Sequence, residues 1–164
     1  MRVRIDELNW DRVASTIAQL GYANLTEFER STFDRCLFSA SHVWLGFADD
    51  ELACIWGVCP PSILSDQAYL WLWTNENVKG NEFLFIRHSQ RAVEKMLELF
   101  PILYGHVAFG AEGSKRWLRF LGARFGEPGD KAIPFQIRAQ IDKIKSVVAT
   151  RGFCKNATSC ASDI

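Results

Sequence analysis

Gln67-Ala68-Tyr69-Leu70-Trp71-Leu72-Trp73-Thr74 is apolar on both of its faces. Side chains along a strand alternate, so Leu70 and Leu72 fall on one side and Trp71 and Trp73 on the other. Such a strand belongs to the interior of a sheet covered on two sides, and packing is the default role of the two Trp residues. The residues after it read as a crossover. Asn75 to Gly80 is a polar loop, Asn81 is placed to cap a long helix from Glu82 to about Phe100, and Pro101 stops it. Ile102 to Phe109 is the next strand. Ser114 is the expected cap of a shorter helix, with Trp117, Leu118 and Leu121 on one face, Lys115, Arg116 and Arg119 outward, and Gly122 at its end. Arg124-Phe125 and Ala132 to Arg138 make a closing pair of strands around Gly126-Glu127-Pro128-Gly129.

Upstream, His42 to Phe47 and Glu51 to Val58 read as two strands joined by the turn Ala48-Asp49-Asp50, and Pro60-Pro61 ends the second. Val3 to Ile5 alternates with Arg2 and Arg4 as a short first strand. Trp10, Val13, Ala14, Ile17 and Leu20 fall at helical spacing between Asn9 and Leu20, and Gly21 supplies a stop. Thr26 with Glu29 forms a capping box for a second helix through Phe33, Cys36 and Leu37. The order predicts an α+β fold: a mixed, mostly antiparallel sheet with one splayed parallel pair and helices on both faces. Residues 1–138 form the expected single domain. Residues 139–164 start as a helix with Ile141, Ile144, Val147 and Val148 on one side, and turn small and polar from Arg151.

At 164 residues, 48% of them hydrophobic, the chain is large enough for one core, and 13% aromatics make it bulky. Lys plus Arg equals Asp plus Glu at 19 each. A protein that binds nucleic acid usually carries a basic excess to displace counterions, so nucleic acid is not an expected partner. No run approaches the roughly twenty apolar residues of a membrane span, so no membrane is expected, and the charged start does not read as a secretory signal. The five cysteines (Cys36, Cys54, Cys59, Cys154 and Cys160) are odd in number and lack a CxxC spacing, which predicts reduced thiols and no metal.

Element order, with Tyr69-Leu70-Trp71-Leu72-Trp73-Thr74, Leu99-Phe100-Pro101-Ile102-Leu103 and the segment Ser114 to Gly122 (SKRWLRFLG), carries a resemblance. Glu51 to Arg138 resembles the GNAT-type acetyltransferase fold, and in particular the GNAT-like proteins of short-tailed phages, including the internal virion protein A family. The resemblance implies an acetyl-coenzyme A site where two parallel strands splay, with the pyrophosphate on backbone amides of the loop that opens the long helix. A helix N-terminus offers free N–H groups and a positive dipole end to an anion. The implied coenzyme contacts are Trp73, Asn77, Lys79, Gly80 and Asn81. Gly80 matches the family loop, whereas Asn77 replaces Gln or Arg and Glu82 replaces a small residue. Ala111 stands where the family often has an Asn that touches the coenzyme, and Leu118 where it often has a Tyr that protonates the leaving thiolate.

Transfer to an amine needs a general base, best a group that titrates near neutral pH. Glu51 and His106 are the expected catalytic candidates and His88 a third, although a lone His is more often structural. Arg87, Arg91 and Lys95 recur along the long helix near Glu94 and Glu98, as a solvated face or one that docks an acidic partner. The resemblance and the altered coenzyme residues together imply a degenerate acetyl-coenzyme A site on a protein acting mainly through contacts with other virion proteins, in the virion or the host cytoplasm. The alternative is an active N-acetyltransferase with an unknown amine substrate.

Overall fold

A computed structural model of the chain describes residues 2–75, 78 and 82–140, with 82–84 as backbone only. Its strands are β1 (Val3–Glu7), β2 (His42–Ala48), β3 (Glu51–Cys59), β4 (Gln67–Thr74), β5 (Ile102–Ala108), β6 (Arg124–Phe125) and β7 (Ala132–Arg138). Its helices are α1 (Val13–Gln19), α2 (Glu27–Ser39), α3 (Glu82–Leu99) and α4 (Glu112–Phe120). The strands form one sheet in the order β1-β2-β3-β4-β5-β7-β6, in which only β4 and β5 run parallel.

Local chemistry explains most element ends. Thr26 accepts from the Glu29 backbone N–H while the Glu29 carboxylate takes the Thr26 backbone N–H at 2.8 Å, the reciprocal cap expected from the sequence. The β2–β3 turn is Asp49-Asp50, both at positive φ (49° and 68°), a backbone that Asp tolerates and whose twist suits a hairpin. The Asp49 carboxylate also accepts from the Arg2 backbone N–H at 2.7 Å, which ties the tip to β1.

Two expectations are corrected. The helix expected from Asn9 to Leu20 is broken: Trp10–Arg12 is a 3-10 turn capped by the Asn9 side chain, and α-helix runs only over Val13–Gln19. Ser114 does not cap α4. The helix opens at Glu112 after Ala111, which offers no side-chain cap, and the backbone bond from Lys115 N–H to Ala111 C=O already closes its first turn. The tail expectations at residues 141–164 lie outside the described residues.

The sheet separates two cores. On one side α3 and α4 press Val93, Met96 and Leu118 onto Trp56, Val58, Leu70, Leu103, Phe135 and Ile137. On the other, α2 presses Phe33 and Leu37 onto Val43, Leu45, Ile55 and Trp71. β4 is therefore covered on both faces, as its composition requires, with Leu70 on the first side and Trp71 on the second.

Candidate functional site

The β4–β5 ladder is short: Gln67↔Ile102, Ala68↔Leu103 and Tyr69↔Tyr104. Beyond it β4 continues along β3 as far as Thr74↔Cys54, and β5 continues along β7 as far as Ala108↔Ala132. Each strand follows its other neighbour, so a wedge opens between Leu70–Thr74 and Gly105–Ala108. Gly105 sits at the apex. A Cβ there would meet Phe135 Cζ at 2.7 Å and the Leu70 carbonyl oxygen at 3.0 Å, so glycine is what allows the strands to approach before they part.

Backbone alternation decides what the wedge offers. Asn75 N–H donates to the Ala53 carbonyl on β3, so the odd-numbered residues of β4 turn their peptide groups toward β3 and Leu72 and Thr74 turn theirs toward the wedge. The departure of the chain toward α3 is pinned, because Asn75 Nδ2 also donates to the Leu52 carbonyl at 2.6 Å. Above the wedge α3 and α4 are bridged by Trp117, whose indole N–H donates to Ser89 Oγ at 2.9 Å and whose ring lies 5.6 Å from Phe85. Beside it, between α3 and the faces of β1 to β4, lies an apolar cleft with about 70 Å³ of empty space behind an open mouth.

On the opposite face the wedge is bordered by rings. Tyr69 lies 5.6 Å from Tyr104 and 6.0 Å from His106. His106 is exposed, two residues beyond the last β4–β5 pair. Burial first, then the Cys36 and Cys59 thiols and Tyr104, holds the Tyr69 phenol protonated above its usual range. A smaller hollow of about 40 Å³ lies nearby, walled by Leu20, Tyr22, Leu25, Phe33, Trp73 and Thr74. The Tyr22 hydroxyl is held there by the Asp34 carboxylate at 2.8 Å, a bond that raises the phenol's pKa.

Among the candidates, His106 lies at the wedge. Glu51 is exposed at the first position of β3, opposite Ala48, and β4 stands between its strand and that of His106. Two strand spacings separate them, at least roughly 10 Å. Trp73 turns its ring to Phe33 (5.4 Å) on the α2 side, away from α3. Asn77, Lys79, Gly80 and Asn81 lie outside the described residues, and Glu82 contributes backbone only. Leu118 is buried beneath α4 and its neighbour Trp117 reaches α3. Ala111 precedes α4 with no polar side chain to offer. His88 lines the large cleft. Tyr69 and Tyr104 escaped the sequence reading; their signal was one Tyr on each strand of a predicted parallel pair, which acquires meaning only once the register is known.

Solved structures share this architecture. A GNAT-family acetyltransferase from Streptococcus pneumoniae superimposes with a TM-score of 0.62 at 14% identity, covering 84% of this chain and all (100%) of that one. The fold is that of the GNAT acetyltransferases. The Campylobacter jejuni N-acetyltransferase PseH in complex with acetyl coenzyme A matches the GNAT fold of this chain with a TM-score of 0.59 at 11% identity, over 85% of this chain and 100% of its own. A Bacillus subtilis acetyltransferase in complex with CoA does so at 0.60 and 13%, over 85% and 99%. No family model matches the chain, and no curated protein matches its sequence. Among the described residues no three His, Cys, Asp or Glu side chains are grouped to hold a metal, and no helix is long and apolar enough to cross a membrane.

Proposed function

We propose that the chain is an acyl-coenzyme A-dependent N-acyltransferase that works mainly by positioning. The observation that carries this reading is the open wedge: the β4–β5 ladder stops at Tyr69↔Tyr104, and the peptide groups of Leu72 and Thr74 face the gap. An extended amide-bearing arm such as pantetheine finds there the edge of a strand to pair with. Structures with this fold have been solved with acetyl coenzyme A and with CoA, which supports the same ligand class. In this reading Asn77, Lys79, Gly80 and Asn81 cradle the pyrophosphate. When bound, the coenzyme supplies an activated thioester.

The two faces of the wedge divide the labour. With the coenzyme on the α3 side, the amine approaches from the α2 side, where His106 is exposed beside Tyr69. His106 takes the ammonium proton, the freed amine nitrogen attacks the thioester carbonyl, the C–N bond forms as the C–S bond breaks, and the departed thiolate takes up the second N–H proton. The thiolate is a weak enough base to leave without an acid, so a buried Leu118 does not forbid turnover. Holding the two reactants together contributes most of the rate.

Calorimetry with acetyl-coenzyme A tests the reading. Micromolar binding that is lost in Gly80→Glu is the expected result, and no binding up to millimolar concentration overturns it. With turnover in hand, His106→Ala should lower kcat by about 10²–10⁴ and Glu51→Ala should not.

A second reading joins the surface to the sequence resemblance: a role through protein contacts, which the resemblance would place in a phage particle. Phe28 and Phe38 are exposed on α2, with Trp10 stacked on Phe38 at 6.3 Å, and Ile63 and Leu64 stand in solvent. Such patches mark contact sites on soluble domains. Mass spectrometry of purified particles tests it; absence of the chain from them removes this reading.

A further inference from the structure

We infer that the donor used by this chain carries an acyl group longer than acetyl, and that the cleft beneath α3 holds it. This rests on the coenzyme reading above. Folded interiors rarely leave voids larger than a water molecule. The cleft between α3 and the sheet keeps about 70 Å³ empty within its walls, room for about five water molecules, and continues into an open mouth.

Its chemistry excludes a polar occupant. The walls are aliphatic and aromatic, with Ile5 and Phe47 on the sheet side and Val78, Phe85, Ala92 and Met96 on the other. The polar side chains are His88 and Ser89. Ser89 Oγ is committed, accepting from Trp117 and donating to the Ile86 carbonyl at 2.7 Å. His88 shares the α3 surface with Arg91 and Lys95, one and two turns on, and both are exposed. A polar ligand entering the cleft would lose its water and find few partners. An alkyl chain loses only water.

Continuity with the wedge selects an acyl chain over other apolar occupants. Leu70 and Leu72 line the cleft, and they are the α3-side residues of the β4 segment whose edge is open. Val78 and Phe85 place one end of the cleft where the chain turns into α3. A thioester carbonyl held in the wedge therefore has the cleft beside it. From Phe85 to Met96 the lining follows α3 for eleven residues, roughly 16 Å at the helical rise. An acetyl group would leave this space empty.

The test is calorimetry of the full chain with coenzyme A and its acetyl, hexanoyl, decanoyl and palmitoyl thioesters. Affinity should rise from acetyl toward decanoyl by about three- to fourfold for each methylene buried. Ala92→Trp, which fills the cleft, should bring decanoyl-coenzyme A down to the affinity of acetyl-coenzyme A. Ala92→Leu should do so in part, and circular dichroism confirms that each variant folds. Equal affinity for all the thioesters overturns the inference and leaves the coenzyme reading standing, whereas no binding of any of them overturns both. A chain-length effect that appears only in a chain lacking residues 141–164 means that this segment covers the cleft. Dimerisation lost in Ala92→Trp means that a second copy does. Either result overturns the inference.

Discussion

Gly105 is the residue on which the wedge turns. It falls inside the strand expected from Ile102 to Phe109, and its role depends on two neighbours far away in the chain, Leu70 and Phe135. Gly105→Val should destabilise the protein by about 1–3 kcal/mol, read as a lower urea midpoint at unchanged slope, because one of the collisions is with backbone that cannot rotate away. The thiols carry a second residue-scale prediction. Burial pushes Cys54 up to about 12, and burial with the nearby Cys36 pushes Cys59 up to about 11, from an ordinary 9.0. The unfolded chain ionises these thiols first, so their contribution to stability is intact below pH 9 and is lost as pH climbs through about 11 to 12. Melting temperature should fall across that window, and Cys54→Ala should make the fall shallower. The Trp71 indole beside Cys59 lowers its thiol without reversing the direction.

Helix ends show how far local chemistry reaches. The Thr26–Glu29 box was readable because all its partners lie within three residues, and Thr26→Ala should cost about 1 kcal/mol in thermal unfolding. The start of α4 was misplaced because Ser114 is a good cap by type, yet Gly110 at φ 79° turns the chain early and starts the helix at Glu112 without a polar cap. The first helix was overextended for a related reason. Asn9 caps a tight turn that reaches Arg12 before the α-helical bonds begin. The α3–α4 bridge belongs to this scale too. Trp117→Phe keeps the ring against Phe85 and removes the bond to Ser89, so it should cost about 1 kcal/mol. His106→Ala makes no such bridge and should leave the melting point within about 1 °C, separating catalysis from stability.

For the molecule as a whole, the ligand that holds the wedge should also hold the fold. A coenzyme thioester at a hundredfold excess over its Kd adds about 2.7 kcal/mol, seen as a rise in melting temperature that grows with concentration. Free adenosine, lacking the pantetheine arm, should give little. How much of this was written in the chain differs by feature. Element order, the twice-covered β4, the crossover through α3 and the α+β class were determined by the sequence, because each rests on spacing and caps within a few residues. The tertiary structure alone decided where β4 and β5 part, that His106 stands beside Tyr69 while Glu51 is a strand away, and that α3 leaves an apolar cleft on the sheet. Those facts depend on which strands pair and in what register, and registers are set by contacts between residues that no local pattern connects.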